Sequence, residues 1–115
     1  QESSASTPFK ERCLRLGEGD TKLLLKKLVP TRLVKNSFRD AVEAAEDRGA
    51  AVEELKTLLG RGRAKKGIFE GDLDEGELEI GQAAALVHRL QPVSEVMAEL
   101  VSSFEEAARR TYRWD

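Results

Sequence analysis

Residues 67–86, GIFEGDLDEGELEIGQAAAL, decide how the rest of the chain reads. Gly67, Gly71, Gly76 and Gly81 punctuate a run that carries Glu70, Asp72, Asp74, Glu75, Glu77 and Glu79. The run joins a basic stretch upstream to a helical region downstream, which the pattern starts at Gly81-Gln82. A helix beginning there exposes backbone N–H groups without intrahelical partners, a ready site for an anionic or carbonyl-bearing ligand. Gly81 and Gln82 are therefore the candidate ligand contacts, and the spacing itself names no ligand.

Two familiar uses of such a stretch fail on counting. Asp72 and Asp74 have the one-three spacing of an EF-hand loop, but its glycine position falls on Glu77 and its bidentate glutamate on Ala83. The acids read instead as a solvated cluster favoured near a helix start. Upstream, residues 60–67 are GRGRAKKG. A dinucleotide fingerprint from Gly60 places Lys65 where its third glycine belongs, and a Walker A loop from Gly62 is followed by Ile68 and Phe69 rather than lysine and a hydroxyl. A short basic helix with a solvated face remains. Basic residues 61–66 followed by acidic residues 70–79 form a pattern that can pair with itself or with a neighbour.

Outward from this stretch, helical periodicity dominates. Phe9, Cys13 and Leu16 recur at helical spacing after Ser3 and Ser4, plausible caps, and before Gly17. Residues 21–28, TKLLLKKL, fit a strand, an extended segment or a helix equally. From Pro30, residues Leu33, Val34, Phe38, Ala41, Val42 and Ala45 suggest one helix up to Gly49, and Val52, Leu55, Leu58 and Leu59 a second, closed by Gly60. A short loop makes them a hairpin. Leu86, Val87 and Leu90 line one side of a segment before Pro92. Val93, Val96, Met97, Leu100, Val101, Phe104 and Ala108 then mark a face expected to be core, on a helix running to about Tyr112.

With 115 residues the chain is one domain's worth or less. It is 40% hydrophobic and 35% charged with a net charge of -2, which gives no global basic field for nucleic acid. Uncharged runs fall short of the roughly 18 residues a membrane helix needs, and no signal peptide opens the chain, so the expectation is a cytoplasmic protein with no membrane partner. The single cysteine, Cys13, reads as a small buried apolar residue. His88, the only histidine, stands among aliphatics without a partner at catalytic spacing and reads as structural or surface. No nucleophile motif, metal cluster or repeat is evident, so no catalytic or metal-binding residue is assigned. The chain opens with Gln1 and its only methionine is Met97, which suggests a fragment or processed product.

Several stretches together resemble one family. ESSASTPFK at the start, GDT at 19–21, Arg32 and Asn36 in TRLVKN, and residues 52–87 look like the C-terminal part of nitronate monooxygenases, formerly 2-nitropropane dioxygenases, which are related to FMN-dependent enoyl reductases. The resemblance implies a mainly α chain: a helical inserted domain over residues 1–79, and over 80–115 the returning last helix of an FMN-binding (β/α)8 TIM barrel whose strands lie upstream. Active sites of such barrels lie at the C-terminal ends of the strands, so Gly81 and Gln82 would face the flavin as cofactor-binding residues. The family's catalytic histidine and flavin loops lie upstream, and His88 does not match that histidine. Ser6 stands where family members commonly have histidine. The implied activity is oxidation of alkyl nitronates by dioxygen in the intact enzyme, with FMN as cofactor and a small molecule as substrate. The chain alone is expected to bind no FMN and to lack activity. Its implied partner is the upstream barrel portion of the same enzyme, with a homo-oligomer open. The alternatives are an NAD(P)H-dependent enoyl reductase of the same flavin family and a non-catalytic helical interaction module.

Overall fold

The computed structural model describes residues 1–111. Tyr112, the expected end of the last helix, lies outside the described residues. The chain divides into two compact units, one spanning Ser4–His88 and the other formed by Gln1–Ser3 with the chain from Arg89 onward.

In the larger unit, helix α1 (Thr7–Leu14) starts at Ser6, whose hydroxyl accepts the Phe9 N–H at 3.4 Å; the cap lies beyond Ser3 and Ser4. A β-hairpin follows, β1 (Thr21–Leu24) against β2 (Thr31–Val34), antiparallel with Thr21 opposite Val34 and Leu24 opposite Thr31. The ambiguous TKLLLKKL stretch thus begins as a strand. The single helix expected from Pro30 to Gly49 is replaced by β2 and helix α2 (Ser37–Asp47). Asn36 is the reason: its backbone is extended, and its side-chain oxygen accepts the Arg39 N–H at 2.8 Å, so the helix begins at Ser37. Helix α3 (Val52–Leu59) ends at Gly60, whose φ of 65° closes it, and packs against α2 as the expected hairpin.

The hairpin stands between two parts of the core. Consecutive strand residues face opposite ways. Val34 accordingly joins Phe9, Leu16, Leu78 and Ala84, while Leu33 joins Leu24, Leu25, Phe38 and Val42. A third cluster, Ala45, Ala50 and Leu55, closes the α2–α3 end. Cys13 is half-buried against the first cluster, and burial raises its thiol pKa.

The acidic stretch is built into this frame. The basic helix expected at 60–66 is a π-helical turn at Lys65–Phe69. After it, residues 78–80 lie along the free edge of β2: Val34 N–H donates to the Leu78 carbonyl at 3.0 Å, and Ile80 N–H to the Arg32 carbonyl at 3.3 Å. Leu33 and Glu79 pair antiparallel. A purely helical reading therefore misses a small sheet that the extended ELEI run completes.

The second unit is organised by helix α4 (Val93–Thr111). The long helix starts here and not at Gly81-Gln82, where only a five-residue 3-10 turn, Gln82–Leu86, is found. The Glu2 carboxylate accepts the Val93 N–H, and the Pro92 carbonyl accepts the Glu95 and Val96 N–H groups at 3.1 and 3.2 Å. The α4 apolar face is not core: Val93, Val96, Met97, Leu100, Val101 and Phe104 are all exposed, Phe104 at 73%. Helical periodicity marks the face that can be buried, and no described residue of this unit covers it. No helix among the described residues is long and apolar enough to cross a membrane.

Candidate functional site

Two glycines of the deciding stretch are explained by packing. A Cβ on Gly76 would lie 2.1 Å from Gly67 Cα and 2.5 Å from the Asp72 carbonyl oxygen, and one on Gly67 would lie 2.7 Å from Leu78 Cδ2. The two backbones cross with no room for a side chain, so Gly67 is buried and presents no phosphate cradle. Gly71, at φ 81°, makes the left-handed turn between them.

Side chains from neighbouring elements then pin the loop. Asn36 Nδ2 donates to the Leu73 and Gly76 carbonyls at 3.0 and 2.7 Å, in addition to its capping bond. Arg63 donates to the carbonyls of Leu58, Leu59 and Glu75, and its guanidinium lies 4.7 Å from the centre of the Phe38 ring. The basic and acidic blocks pair within the chain, through Arg63–Glu75, Lys65–Glu70 and Lys66–Asp72. Asp72 turns its carboxylate onto the N–H groups of Asp74 and Glu75, and with Lys66 these hold its pKa below the usual range.

The reading of the acids as a solvated cluster fails at Glu77, which is only 7% exposed. Burial, then the neighbouring Glu79 charge and a hydrogen bond with it, push the Glu77 carboxyl up to about 7; Arg63 acts in the opposite sense. The alternation in ELEI is the signal that could have revealed this: it sends Leu78 and Ile80 to the core and both glutamates to the other face.

This pinned loop delivers Gly81 and Gln82 to the surface. Gly81 is exposed and extended (φ -75°, ψ 164°), with nothing within 4 Å of a Cβ placed on it. Gln82 is exposed too. The two residues border different cavities. Gly81 lines an open one of about 440 Å³ with Arg32, Glu79 and Ile80. Gln82 lines another, of about 650 Å³, with Gly17, Thr21, Leu86 and His88. Arg32 Nη1 donates to the Thr21 carbonyl at 3.1 Å and its hydroxyl at 3.3 Å, linking a wall of one cavity to a wall of the other. A five-residue 3-10 turn lacks the aligned donors of a long helix, so the anion-site argument drawn from a helix start does not carry over to Gly81-Gln82. What the pair presents at the surface is the uncrowded Gly81 backbone and the Gln82 side-chain amide, which can donate and accept hydrogen bonds.

No family model matches the chain, and no curated protein sequence matches it. Solved structures do match its fold. A hairpin carrying two helices on one side, with an extended return along its edge, occurs as part of a larger protein. FabK from Thermotoga maritima aligns with a TM-score of 0.81 and 23% identity over 93% of this chain and 34% of that chain. Its M276A mutant aligns with a TM-score of 0.75 and 23% identity over 96% of this chain and 32% of that one. The chain thus spans about a third of the length of the structures it matches. At this identity the likeness establishes the fold.

Proposed function

We propose that the chain is the C-terminal part of a flavin-dependent oxidoreductase built on a TIM barrel. The observation that carries this reading is the shared fold with FabK, a flavin-dependent enoyl reductase, over nearly the whole chain but only a third of FabK. In the full-length protein, residues 1–79 form the helical inserted domain beside the substrate, and residues 80–115 return to the barrel. The exposed apolar face of α4 supports that placement, since a barrel helix buries such a face against the strands. Bound FMN would supply the two-electron redox chemistry. Gly81 and Gln82 would then border the cofactor, Gln82 as an amide donor and Gly81 by letting the flavin come close to the backbone.

Two reactions fit this architecture. The FabK likeness favours NAD(P)H-dependent reduction of an enoyl group, and the sequence resemblance favours oxidation of alkyl nitronates by dioxygen. Anaerobic mixing of the full-length protein separates them. Bleaching of the flavin by NADPH or NADH, with reoxidation by an enoyl thioester, supports the reductase, whereas bleaching by ethyl nitronate supports the monooxygenase. A flavin bleached by none of these would overturn both.

A further inference from the structure

Arg12, Lys35 and Arg39 converge, from α1, the β2–α2 connection and the first turn of α2, on a cavity of about 330 Å³ that Gly19 and Asp20 complete. None of the three cations has a carboxylate ion-pair partner among the described residues. Arg12 donates to the Lys35 carbonyl at 3.3 Å and Arg39 Nη1 to the Asp20 carbonyl at 3.1 Å, so both guanidiniums are positioned by backbone and neither is held in a salt bridge among the described residues. Among the described residues Arg39 Nε is buried without a hydrogen-bond partner, and the Lys35 ammonium has no hydrogen bond or ion pair. Two carboxylates are near. Asp20 holds the Gly17 N–H at 2.7 Å and leaves three cations facing one acid. Glu43 is hydrogen-bonded to Lys22 and feels Arg39 and Lys35 only as weaker attractions.

We infer that this cavity is an oxyanion-binding site for a phosphate group, held by the guanidiniums of Arg39 and Arg12 and flanked by Lys35. Two guanidiniums and an ammonium lining one cavity supply charge-assisted donors of the kind phosphate oxygens accept. The site holds or fails without any flavin, and so independently of the function proposed above. Its test is a titration of the 115-residue chain with inorganic phosphate, followed by amide NMR at constant ionic strength against chloride. The expected result is saturable shifts at residues 12, 17–20, 35 and 39, with Arg39→Gln weakening binding about tenfold or more. Lys35→Gln, at a side chain that makes no bond, should weaken binding while leaving the fold and its thermal midpoint unchanged, and it decides the matter if Arg39→Gln does not fold. Tighter binding of adenosine 5′-monophosphate would assign the ligand to nucleotides, and equal binding to free phosphate; either keeps the site. Shifts that do not saturate, that chloride reproduces, or that persist in folded Lys35→Gln would overturn it.

Discussion

Gly76→Ala and Gly81→Ala separate packing from ligand contact along one stretch. The first puts a methyl group 2.1 Å from Gly67 Cα, and chemical denaturation should show a loss of about 3 kcal/mol or failure to fold. The second meets nothing within 4 Å, and its stability should change by less than about 0.5 kcal/mol. A destabilised Gly81→Ala would mean that this glycine serves the fold and not a ligand. Glu77 makes a separate prediction. Its carboxyl titrates near 7 when folded and near 4.5 when unfolded, so between those values the folded state binds more protons. Stability is full below about pH 4.5, falls as pH rises towards 7 and levels off above. Glu77→Gln should flatten that slope in denaturation curves taken across the range; an unchanged slope would assign it to other groups. The sequence shows the glycines and the acids at these positions but not which are buried. Gly67 and Gly76 meet across a loop, and the Glu77 N–H is tied to the Arg63 carbonyl across the same loop, so neither burial can be read from local spacing.

Among the elements, periodicity located apolar positions better than it located element types. Of the positions in the pattern from Pro30, Leu33, Val34, Phe38, Val42 and Ala45 are buried and Ala41 is exposed, and Leu33 and Val34 reach the core from a strand. Steps of three and four fit a helix, while two adjacent apolar residues fit equally a strand packed on both faces. Asn36 was the legible signal at that boundary, since its side chain caps α2 and ties the acidic loop to it. Asn36→Ala should cost about 3 kcal/mol by leaving three backbone groups without their partner, measured by thermal or urea unfolding. A loss below about 1 kcal/mol would show that water replaces it readily. For α4 the length and the apolar face were legible, and the burial was not, because burial depends on what lies against the face. Leu100→Ala and Phe104→Ala should be nearly silent in the 115-residue chain. In the full-length protein each should cost about 2–5 kcal/mol once the barrel covers the face. Silence in both would contradict the barrel-helix assignment.

At the scale of the molecule, the expectation of a helix-rich segment of something larger agrees with the fold it shares with a third of FabK, with a small sheet added. Gly81 and Gln82 keep their place as candidates for a different reason from the one that selected them. They are surface residues where the extended return along β2 passes into a 3-10 turn, and not the start of a long helix. On the proposed function that site is an edge, and its chemistry rests on what an upstream barrel would supply. The isolated chain should therefore leave flavin fluorescence unquenched when titrated with FMN, and saturable quenching would show a flavin site complete within it. The central claim is tested most directly by the flavin content of the purified full-length protein beside its Gln82→Ala variant. The account predicts a yellow protein with close to one FMN per chain and a variant that binds FMN more weakly or turns over more slowly. A folded full-length protein without flavin, unable to take up added FMN, would contradict it.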